Sequence, residues 1–377
     1  MGKKITVGIL FGGKSAEHEV SLQSARNVYE AIDRDSYDPV LIGIDKSGRW
    51  LLSGDSRSLP EAKDSGRIGL DESGDQVALP PRSRGVLSLL GSSSGRGADG
   101  APALMPKLDV VFPILHGPFG EDGTVQGLLK LADIPFVGPG VLGSAAGMDK
   151  DVMKRLLRDG GVPIGKFLVL RSHEAVPPYG EVAAALGAPF FVKPANMGSS
   201  VGIRKIHKEE EYLPGLGEAF QYDSKVVLEE FIQGRELECS VLGNENPAAS
   251  VPGEVIVNHE FYSYEAKYLD EKGAVLEIPA KLPPPVEARV RELALKTFTI
   301  LCCEGLSRVD FFLRGDRPED LLVNEINTMP GFTRISMYPK LWEASGISYA
   351  GLIDRLIRLA IERFEREKRI RTSYRTD

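Results

Sequence analysis

At 377 residues the chain is too long for one small hydrophobic core, and two or three domains are expected. The net charge of −7 argues against a general nucleic-acid binder, while 42% apolar and 26% charged residues are ordinary for a globular protein. No run approaches the ~20 apolar residues of a membrane span, and the first apolar run is too short for a signal peptide. The three cysteines lack metal-type spacing, which favours a reduced, cytoplasmic compartment.

The first third of the sequence alternates apolar strands with amphipathic helices. The run KITVGILF predicts a buried parallel strand that ends at Gly12-Gly13, and a helix is expected from about Glu19 to Ile32. The runs PVLIGID, LDVVFPIL and IPFVG predict three further strands, with a helix near residues 122–132. This βαβ pattern predicts an α/β fold with a parallel sheet.

Residues 53–104 interrupt this pattern. Their stretch GSSSGRGADGAPA is rich in Gly and Ser and has no apolar period, so an exposed loop or flexible insertion is predicted. A domain boundary is expected near Gly147. The helix DKDVMKRLLRDG then begins with Asp149 as its cap and stops at Gly160-Gly161.

The remaining sequence forms two further blocks. The runs FLVL, FFVKP and KVVLEEFI predict the strands of a second block, and a third block extends from about residue 240 to the end. The last segment, YAGLIDRLIRLAIERFEREKRI, is strongly amphipathic and predicts a long helix with a solvated, charged face.

The segment Gly8–Ser15, GILFGGKS, matches the phosphate-binding pattern G-x-x-x-x-G-K-[ST]. In a true phosphate loop the four middle residues cradle the phosphates, whereas three of them here look like strand residues. A nucleotide-binding protein that uses Lys14 stays an alternative. The glycine turn ends the first strand, where α/β proteins bind ligands. Glu17, just beyond it, is either a ligand-binding residue or a first-turn acid favoured by the helix dipole.

The segment FFVKPANMGSSVGI has the composition of a phosphate-binding lid. An apolar strand leads to Lys193, and a Gly/Ser loop that carries Ser199 and Ser200 follows. Such a loop can close over phosphates with its N–H groups pointing inward, or it is a surface hairpin loop. A lysine near the end of a buried strand favours the lid, because a buried lysine needs an anionic partner.

The strand end in VVLEEFIQGRELE could frame an adenine base. Phe231 and Ile232 would supply flat apolar walls beside Glu229, and Glu236 could reach the ribose hydroxyls. A plain strand end is the alternative for these residues.

The strands LSRVDFFL and LLVNEIN end in polar residues. Because strand side chains alternate, Arg308 and Asp310 share one face of the first strand. Asn324 disturbs the alternation of the second strand. The residues expected on one face of that strand are Leu321, Val323, Glu325 and Asn327.

If these two strands pair as a hairpin, Asp310, Glu325 and Asn327 converge as oxygen ligands. Mg²⁺ prefers few protein ligands of this kind, with phosphates completing its shell. Arg308 could then neutralise negative charge that develops beside the metal. A surface hairpin with ordinary polar ends is the alternative.

Seven segments together resemble the motifs of the ATP-grasp enzymes, and within them of the D-alanine–D-alanine ligases, in that family's order. They are FGGKSAEHEVSL, LHGPFGEDGTVQG, GMDKDVMK, VKPANMGSSVGI, EFYSYEAKY, SRVDFF and NEINTMPGFT. The resemblance covers nearly the whole chain except the Gly/Ser-rich insertion. It implies a three-domain ATP-grasp fold: a Rossmann-like substrate domain at 1–147, and two α+β ATP-grasp domains at 148–239 and 240–377.

The resemblance also implies roles for individual residues. ATP would lie between the central and C-terminal domains, with Lys267 near the transferred γ-phosphate. The residues implied in nucleotide binding are Lys150, Lys193, Ser200, Glu229, Phe231, Ile232, Glu236 and Lys267. Two Mg²⁺ ions, which Mn²⁺ could replace, would be bound in the C-terminal domain by Asp310, Glu325 and Asn327.

For the first substrate, the resemblance implies that the ammonium group of a D-alanine faces Glu17, with His116 nearby. Ser199 and Tyr268 would hydrogen-bond with Glu17 and help to close the lid loops. Those loops would exclude water from a reactive acyl phosphate and are expected at residues 196–202 and 260–270.

For the second substrate, the resemblance implies an oxyanion hole made by Arg308 and the Gly331 amide, with Ser336 holding the carboxylate of the second D-alanine. The product would be D-alanyl-D-alanine for peptidoglycan synthesis, made by a cytoplasmic enzyme that forms a homodimer. Tyr268 favours this dipeptide, because ligases that make D-alanyl-D-lactate lack that tyrosine. D-serine or D-lactate as second substrate, another ATP-grasp substrate pair and a non-catalytic binding protein stay open.

Overall fold

The computed structural model describes residues 3–53, 74–90, 105–257, 274–371 and 374. Within these ranges the strands form three sheets. The first contains β1 (Ile5–Gly12), β2 (Tyr37–Ile44), β3 (Trp50–Ser53), β4 (Asp75–Ala78), β5 (Ser88–Leu89) and β6 (Val110–Ile114). The second contains β7 (Phe167–Arg171), β8 (Phe190–Pro194), β9 (Arg204–Ile206) and β10 (Lys225–Glu230). The third contains β11 (Arg235–Gly243), β12 (Ala248–Ala249), β13 (Gly253–Val257), β14 (Ala274–Glu277), β15 (Gly305–Leu313) and β16 (Leu321–Asn327).

The strand orders are β5-β4-β3-β2-β1-β6, β7-β10-β8-β9 and β14-β13-β11-β15-β16, with β12 beside β11. Strand β1 pairs in parallel with β2 and β6, as predicted, whereas the second and third sheets are antiparallel.

The helices of the described ranges are α1 (His18–Ala31), α2 (Thr124–Leu131), α3 (Val141–Met148), α4 (Lys150–Asp159), α5 (Tyr179–Leu186), α6 (Glu209–Ala219), α7 (Pro284–Ile300), α8 (Met337–Ala344) and α9 (Tyr349–Glu367). None of these helices is both long and apolar enough to cross a membrane.

Strand β1 extends through the segment that matches the phosphate-loop pattern. Gly8 lies inside the strand, and the chain turns only at Gly12, whose φ is +90°. A Cβ on Gly12 would collide with the Ile44 carbonyl, so glycine is required there. Lys14 is exposed, with its Nζ 5.6 Å from the centre of the Phe119 ring. Because the middle of the pattern is a buried strand, the phosphate-loop alternative is wrong.

The predicted insertion is partly a continuation of the first sheet. Residues 74–90 contain the antiparallel strands β4 and β5, which extend the sheet beyond β3. Their buried side chains include Val77, Leu79 and Leu87. The expectation of an exposed loop is therefore wrong for 74–90, where apolar residues alternate in the pattern of a half-buried edge strand. Residues 54–73 and 91–104 lie outside the described residues.

The last long helix covers the first sheet. The amphipathic helix predicted at the end of the sequence is α9, and its apolar face packs into the same core as β1 and β6. The Tyr37 hydroxyl of β2 donates a 2.6 Å hydrogen bond to Asp354 of α9. Arg363 of α9 is buried and donates to the Phe136 carbonyl at 2.8 Å. The two ends of the chain therefore build one core.

Helix α4 precedes the second sheet in the chain and packs against the third. The Asp149 side chain accepts hydrogen bonds from the amides of Asp151 and Val152, which confirms the predicted cap. Met153 and Leu157 of this helix pack into the core of the third sheet. Strand β11, which belongs wholly to the third sheet, spans the predicted boundary between residues 239 and 240.

Candidate active site

A cavity of about 730 Å³ is lined by residues attached to all three sheets. Lys267 and Tyr268 lie outside the described residues. The cavity is lined by all the other predicted site residues, namely Glu17, His116, Lys150, Lys193, Ser199, Ser200, Glu229, Phe231, Ile232, Glu236, Arg308, Asp310, Glu325, Asn327, Gly331 and Ser336. The structure thus brings together residues that are far apart in sequence, while their individual roles stay predictions.

Two lysines share the carboxylate of Glu229 at the predicted nucleotide side of the cavity. Strands β8 and β10 are neighbours, and the Lys193 Nζ lies 2.9 Å from Glu229 Oε2. The Lys154 Nζ lies 3.3 Å from Glu229 Oε1. Burial alone would raise the pKa of Glu229, but the two lysines lower it to about 2. The carboxylate predicted to contact adenine is therefore ionised and already paired.

Lys154 was not identified from the sequence, although a signal is present. It follows Lys150 by four residues, so the two side chains lie on the same face of α4. The Lys150 Nζ donates to the Met197 carbonyl of the lid loop at 2.7 Å and lies 3.7 Å from Glu325. This places one helix beside both the predicted phosphate site and the predicted metal site.

An aromatic wall borders the predicted adenine site. The ring of Phe231 lies 6.1 Å from the ring of Phe191, and the Lys205 Nζ lies 4.0 Å from the centre of the Phe231 ring. Ile232 continues this surface toward Gly165. A Cβ on Gly165 would lie only 2.9 Å from the Cδ1 of Ile232. Phe191 is a further cavity residue that the sequence did not identify.

The predicted hairpin is confirmed. Strands β15 and β16 pair antiparallel, with Arg308 opposite Asn327 and Asp310 opposite Glu325. The Asn327 side-chain amide donates to Asp310 Oδ2 at 2.9 Å. The polar ends of the two strands therefore meet on one face of the sheet, which borders the cavity.

The face predicted for β16 is wrong, and Asn324 explains why. Phe311 pairs with Val323, whereas the preceding Asp310 pairs with Glu325, so Asn324 is an extra residue in a β-bulge. Paired residues point to the same side of a sheet, and consecutive residues point to opposite sides. Val323 therefore faces the core with Phe311, while Glu325 faces the cavity with Asp310.

Arg308 is held between two carboxylates. Its Nε and Nη2 each lie 2.7 Å from an oxygen of Asp310, and its Nε lies 2.8 Å from Glu238 Oε2. Burial alone would lower the pKa of Arg308, but Asp310 and Glu238 raise it above its ordinary value. Glu238 lies opposite Asp310 on β11 and was not identified from the sequence. The alternation of ELECS, with Glu236 and Glu238 on one face, was the available signal.

The oxygen atoms of Asp310, Glu325 and Asn327 suit a hard cation. Within the described part of the chain no cluster of three or more His, Cys, Asp or Glu side chains is arranged to hold a metal. These residues would thus give a metal only part of its shell. That donor set fits Mg²⁺, which keeps water and phosphate oxygens as ligands.

The lid loop contacts the predicted ammonium site directly. The Ser199 hydroxyl donates a hydrogen bond to Glu17 Oε1, as expected. Ser199 and Ser200 both have left-handed backbones, with φ of +50° and +60°. Such conformations are unfavourable for non-glycine residues and are typical of functional loops. The contact therefore joins the loop after β8 to the start of α1.

His116 and Glu121 lie next to each other and beside Glu17. The buried His116 ring donates from Nδ1 to the Met329 carbonyl at 3.0 Å, and that nitrogen lies 3.7 Å from Glu121 Oε1. Burial alone would lower the pKa of His116, but Glu121 and Glu17 raise it above 6.5. Burial raises the pKa of Glu121. Glu121 lines the cavity and was missed, although its motif HGPFGEDG was recognised.

Gly331 and Ser336 lie together at the predicted acceptor end. A Cβ on Gly331 would be 3.1 Å from the Ser336 hydroxyl oxygen, so this glycine leaves room for a close approach. The same hydroxyl oxygen accepts from the Thr333 amide at 3.0 Å and lies 2.7 Å from the Thr333 hydroxyl. Ser336 is also the N-cap residue of α8, where backbone amides favour an anion.

Comparison with known proteins accounts for this arrangement. The family model described as D-ala D-ala ligase N-terminus matches residues 6–139, and the one described as D-ala D-ala ligase C-terminus matches residues 156–358. A D-alanine–D-alanine ligase from Oceanobacillus iheyensis is 52% identical over 372 residues, which cover 98% of this chain and 99% of the relative. The chain belongs to the D-alanine–D-alanine ligase family.

Solved structures agree with the family assignment. The D-alanine–D-alanine ligase from Coxiella burnetii superposes with a TM-score of 0.82 at 36% identity, covering 98% of this chain and 97% of that one. The VanG D-Ala:D-Ser ligase from Enterococcus faecalis gives 0.80 at 34% identity, covering 95% and 100%. These likenesses confirm the resemblance and the mixed α/β fold of the D-alanine–D-alanine ligases, with its partly parallel N-terminal sheet.

Proposed function

We propose that this chain joins two D-alanines into D-alanyl-D-alanine and converts ATP to ADP and phosphate, for peptidoglycan precursor synthesis. The observation that carries this proposal is the single cavity lined by every described residue that the family resemblance implied. Full-length similarity to D-alanine–D-alanine ligases supports the same reaction. ATP is the energy source, because forming an amide from a carboxylate requires activation of that carboxylate.

The phosphates of ATP would be held by Lys150 and Lys193, with Lys267 approaching the γ-phosphate. Phosphoryl transfer needs positioning and charge neutralisation more than covalent help from the protein. Two Mg²⁺ ions, replaceable by Mn²⁺, would be held by Asp310, Glu325 and Asn327 and would withdraw negative charge from the β- and γ-phosphates. Adenine would lie against the aromatic wall at Phe231, with Glu236 near the ribose.

In the first step a carboxylate oxygen of one D-alanine attacks the γ-phosphorus of ATP, and the bond between that phosphorus and the β–γ bridging oxygen breaks. The products are a D-alanyl phosphate and ADP. Glu17 binds the ammonium group of this substrate, and His116 borders it. Ser199 closes the lid loop onto Glu17, which keeps water from the acyl phosphate. Tyr268 would add to the same closure.

In the second step the free amine of another D-alanine attacks the carbonyl carbon of the acyl phosphate. Arg308 and the Gly331 amide donate hydrogen bonds to the oxyanion of the tetrahedral intermediate. Ser336 binds the carboxylate of the attacking D-alanine. Collapse of the intermediate breaks the carbon–oxygen bond and releases phosphate, while the new amide nitrogen loses a proton.

The proposal also specifies the second substrate, which is D-alanine rather than D-serine or D-lactate. Tyr268 favours a dipeptide over D-alanyl-D-lactate. The likeness to a D-Ala:D-Ser ligase makes D-serine the competitor to measure. Parallel assays with D-alanine, D-serine and D-lactate as acceptors test this directly, and we expect D-alanine to give the highest kcat/KM.

We further propose a homodimer, a cytoplasmic location and three domains, for which the sequence predicted the bounds 1–147, 148–239 and 240–377. The contacting helices α2 and α3 support a dimer, because they expose the apolar side chains Leu131 and Leu142 at 67% and 65%. Because β11 begins at Arg235, the second boundary is best placed just before that residue. Sedimentation of the protein and of a Leu131→Glu variant tests the dimer.

The main test of function is an assay with ATP, Mg²⁺ and D-alanine that follows both phosphate release and dipeptide formation. We expect phosphate release that depends on D-alanine. Its absence would contradict the ligase reaction, and release without dipeptide would indicate a different acceptor. In nucleotide-binding measurements we expect Lys193→Ala to abolish binding and Lys14→Ala to retain it.

A further inference from the structure

Lys154 is a buried cation to which the proposed reaction gives no role. It is only 2% exposed, and its Nζ lies 3.3 Å from Glu229 Oε1 and 3.4 Å from the Asn324 carbonyl. Burial lowers the pKa of Lys154, and the charge of Glu229 opposes that effect. A lysine is rarely buried without a partner, and losing that partner leaves an uncompensated charge. Lys154 and Glu229 therefore depend on each other.

The two lysines that contact Glu229 differ in their access to the cavity. Lys193 lines the cavity, whereas Lys154 lies behind the carboxylate, on helix α4. Each lysine contacts a different oxygen of Glu229. If Lys193 moves to the phosphates of ATP, Lys154 is the cation that remains with Glu229.

We propose that Lys154 is a positioning residue that acts as the permanent counter-ion of Glu229 and thereby releases Lys193 to bind the phosphates of ATP. This inference rests on the proposed function, because it takes Lys193 as a phosphate ligand. Without Lys154, moving Lys193 away would leave a buried carboxylate unpaired, which is strongly unfavourable. Lys193 would then stay with Glu229, and the phosphates would lose one of their cations.

The alternative is a purely structural role, in which Lys154 only ties α4 to β10 and β16. The two roles differ in one measurable ratio. A structural defect weakens the binding of ADP and of adenosine alike, because both need the same folded cavity. Loss of Lys193 from the phosphates weakens ADP alone, because adenosine has no phosphate. The ratio of the adenosine Kd to the ADP Kd therefore reports whether Lys193 engages the ligand.

The test measures this ratio by calorimetry for the full chain and its variants at saturating Mg²⁺. For Lys154→Met we expect the ratio to fall by about tenfold or more. Lys154→Gln removes the charge but keeps a hydrogen-bond donor, so it should show the same fall with a smaller loss of Tm. Lys154→Arg should keep the wild-type ratio. Lys208→Met, at an exposed lysine outside the cavity, is the matched control.

The double variant Lys154→Met/Glu229→Gln gives the sharpest outcome. With neither charge present, the Glu229 carboxylate no longer holds Lys193, so the ratio should recover toward the wild-type value. The proposal is overturned if Lys154→Gln keeps the wild-type ratio, or if the double variant remains as low as the charge-removing single variants. Failure of the proposed function is distinguishable, because the wild-type protein would then release no D-alanine-dependent phosphate.

Discussion

The guanidinium group of Arg308 contacts both carboxylate oxygens of Asp310, with Nε and Nη2 each at 2.7 Å. The predicted oxyanion-binding cation and a predicted Mg²⁺ ligand are thus each other's partners. A bidentate pair of this kind has fixed geometry, and each of its charge-assisted hydrogen bonds is roughly twice as strong as a neutral one. Binding of Mg²⁺ at Asp310 would have to compete with this pair, while Arg308 would still keep Glu238.

Asp310→Asn is expected to lower kcat by about 10²- to 10³-fold. The substitution removes a charged metal ligand and the carboxylate that holds the guanidinium group of Arg308. The measurement is D-alanine-dependent phosphate release over a range of Mg²⁺ concentrations, with higher Mg²⁺ restoring only part of the rate. Glu319→Gln is the control, since that side chain is 62% exposed in the β15–β16 turn. Turnover within a few-fold of wild type would contradict a role for Asp310 in binding a metal that the reaction requires.

Glu238→Gln is expected to lower kcat about tenfold and to leave the KM for ATP unchanged. The variant keeps the size of the side chain but removes the second carboxylate that lies against Arg308, which keeps its pair with Asp310. Steady-state kinetics with ATP and D-alanine varied separately provide the check. An increase in the ATP KM with unchanged kcat would indicate that Glu238 serves the nucleotide instead.

Ser199→Ala is expected to raise the KM for the first D-alanine about tenfold, because a hydrogen bond to a charged acceptor is lost between the lid loop and Glu17. The ATP-binding constant measured without D-alanine should change little. Ser172→Ala, at an exposed serine away from the cavity, controls for the substitution itself. Equal KM values in the two variants would show that the contact does not assist closure.

The His116–Glu121 pair predicts a pH effect. The folded pKa of His116 lies above its ordinary value of 6.5, so its charged form stabilises the folded protein. That stabilisation is fully present below pH 6.5 and is lost as the pH rises through the folded pKa. NMR titration of the imidazole should therefore show a pKa above 6.5, and Glu121→Gln should lower it. An unchanged His116 pKa in that variant would exclude Glu121 as the cause.

The sequence predicted the parallel pairing of β1 in the first sheet, the cap at Asp149 and the residues that meet in the cavity. These features depend on local patterns or on recognisable motifs. It did not predict that Asn324 is a bulge, because a bulge is defined by the pairing with β15 and not by β16 alone. Lys154 and Glu238 were missed for a related reason, since their partners lie on other elements far along the chain.

The strands at 75–78 and 88–89 show a different limit. Glycine and serine are frequent across 53–104, and this hid the short segments that form β4 and β5. Edge strands of two to four residues carry little periodicity of their own. They form because β3 offers a free edge to β4, and β4 offers one to β5.

The bulge at Asn324 divides β16 into two segments that tolerate mutation in opposite phase. Before it, the odd-numbered positions Leu321 and Val323 are buried and should accept only apolar residues of similar size. After it, the odd-numbered positions Glu325 and Asn327 face the cavity and should accept almost no substitution in an activity screen. Deleting Asn324 would remove the bulge and leave Glu325 opposite Asp310 on the cavity face, so a protein shortened by this residue should keep its fold better than one shortened by Val323, in which Asn324 would take the buried position.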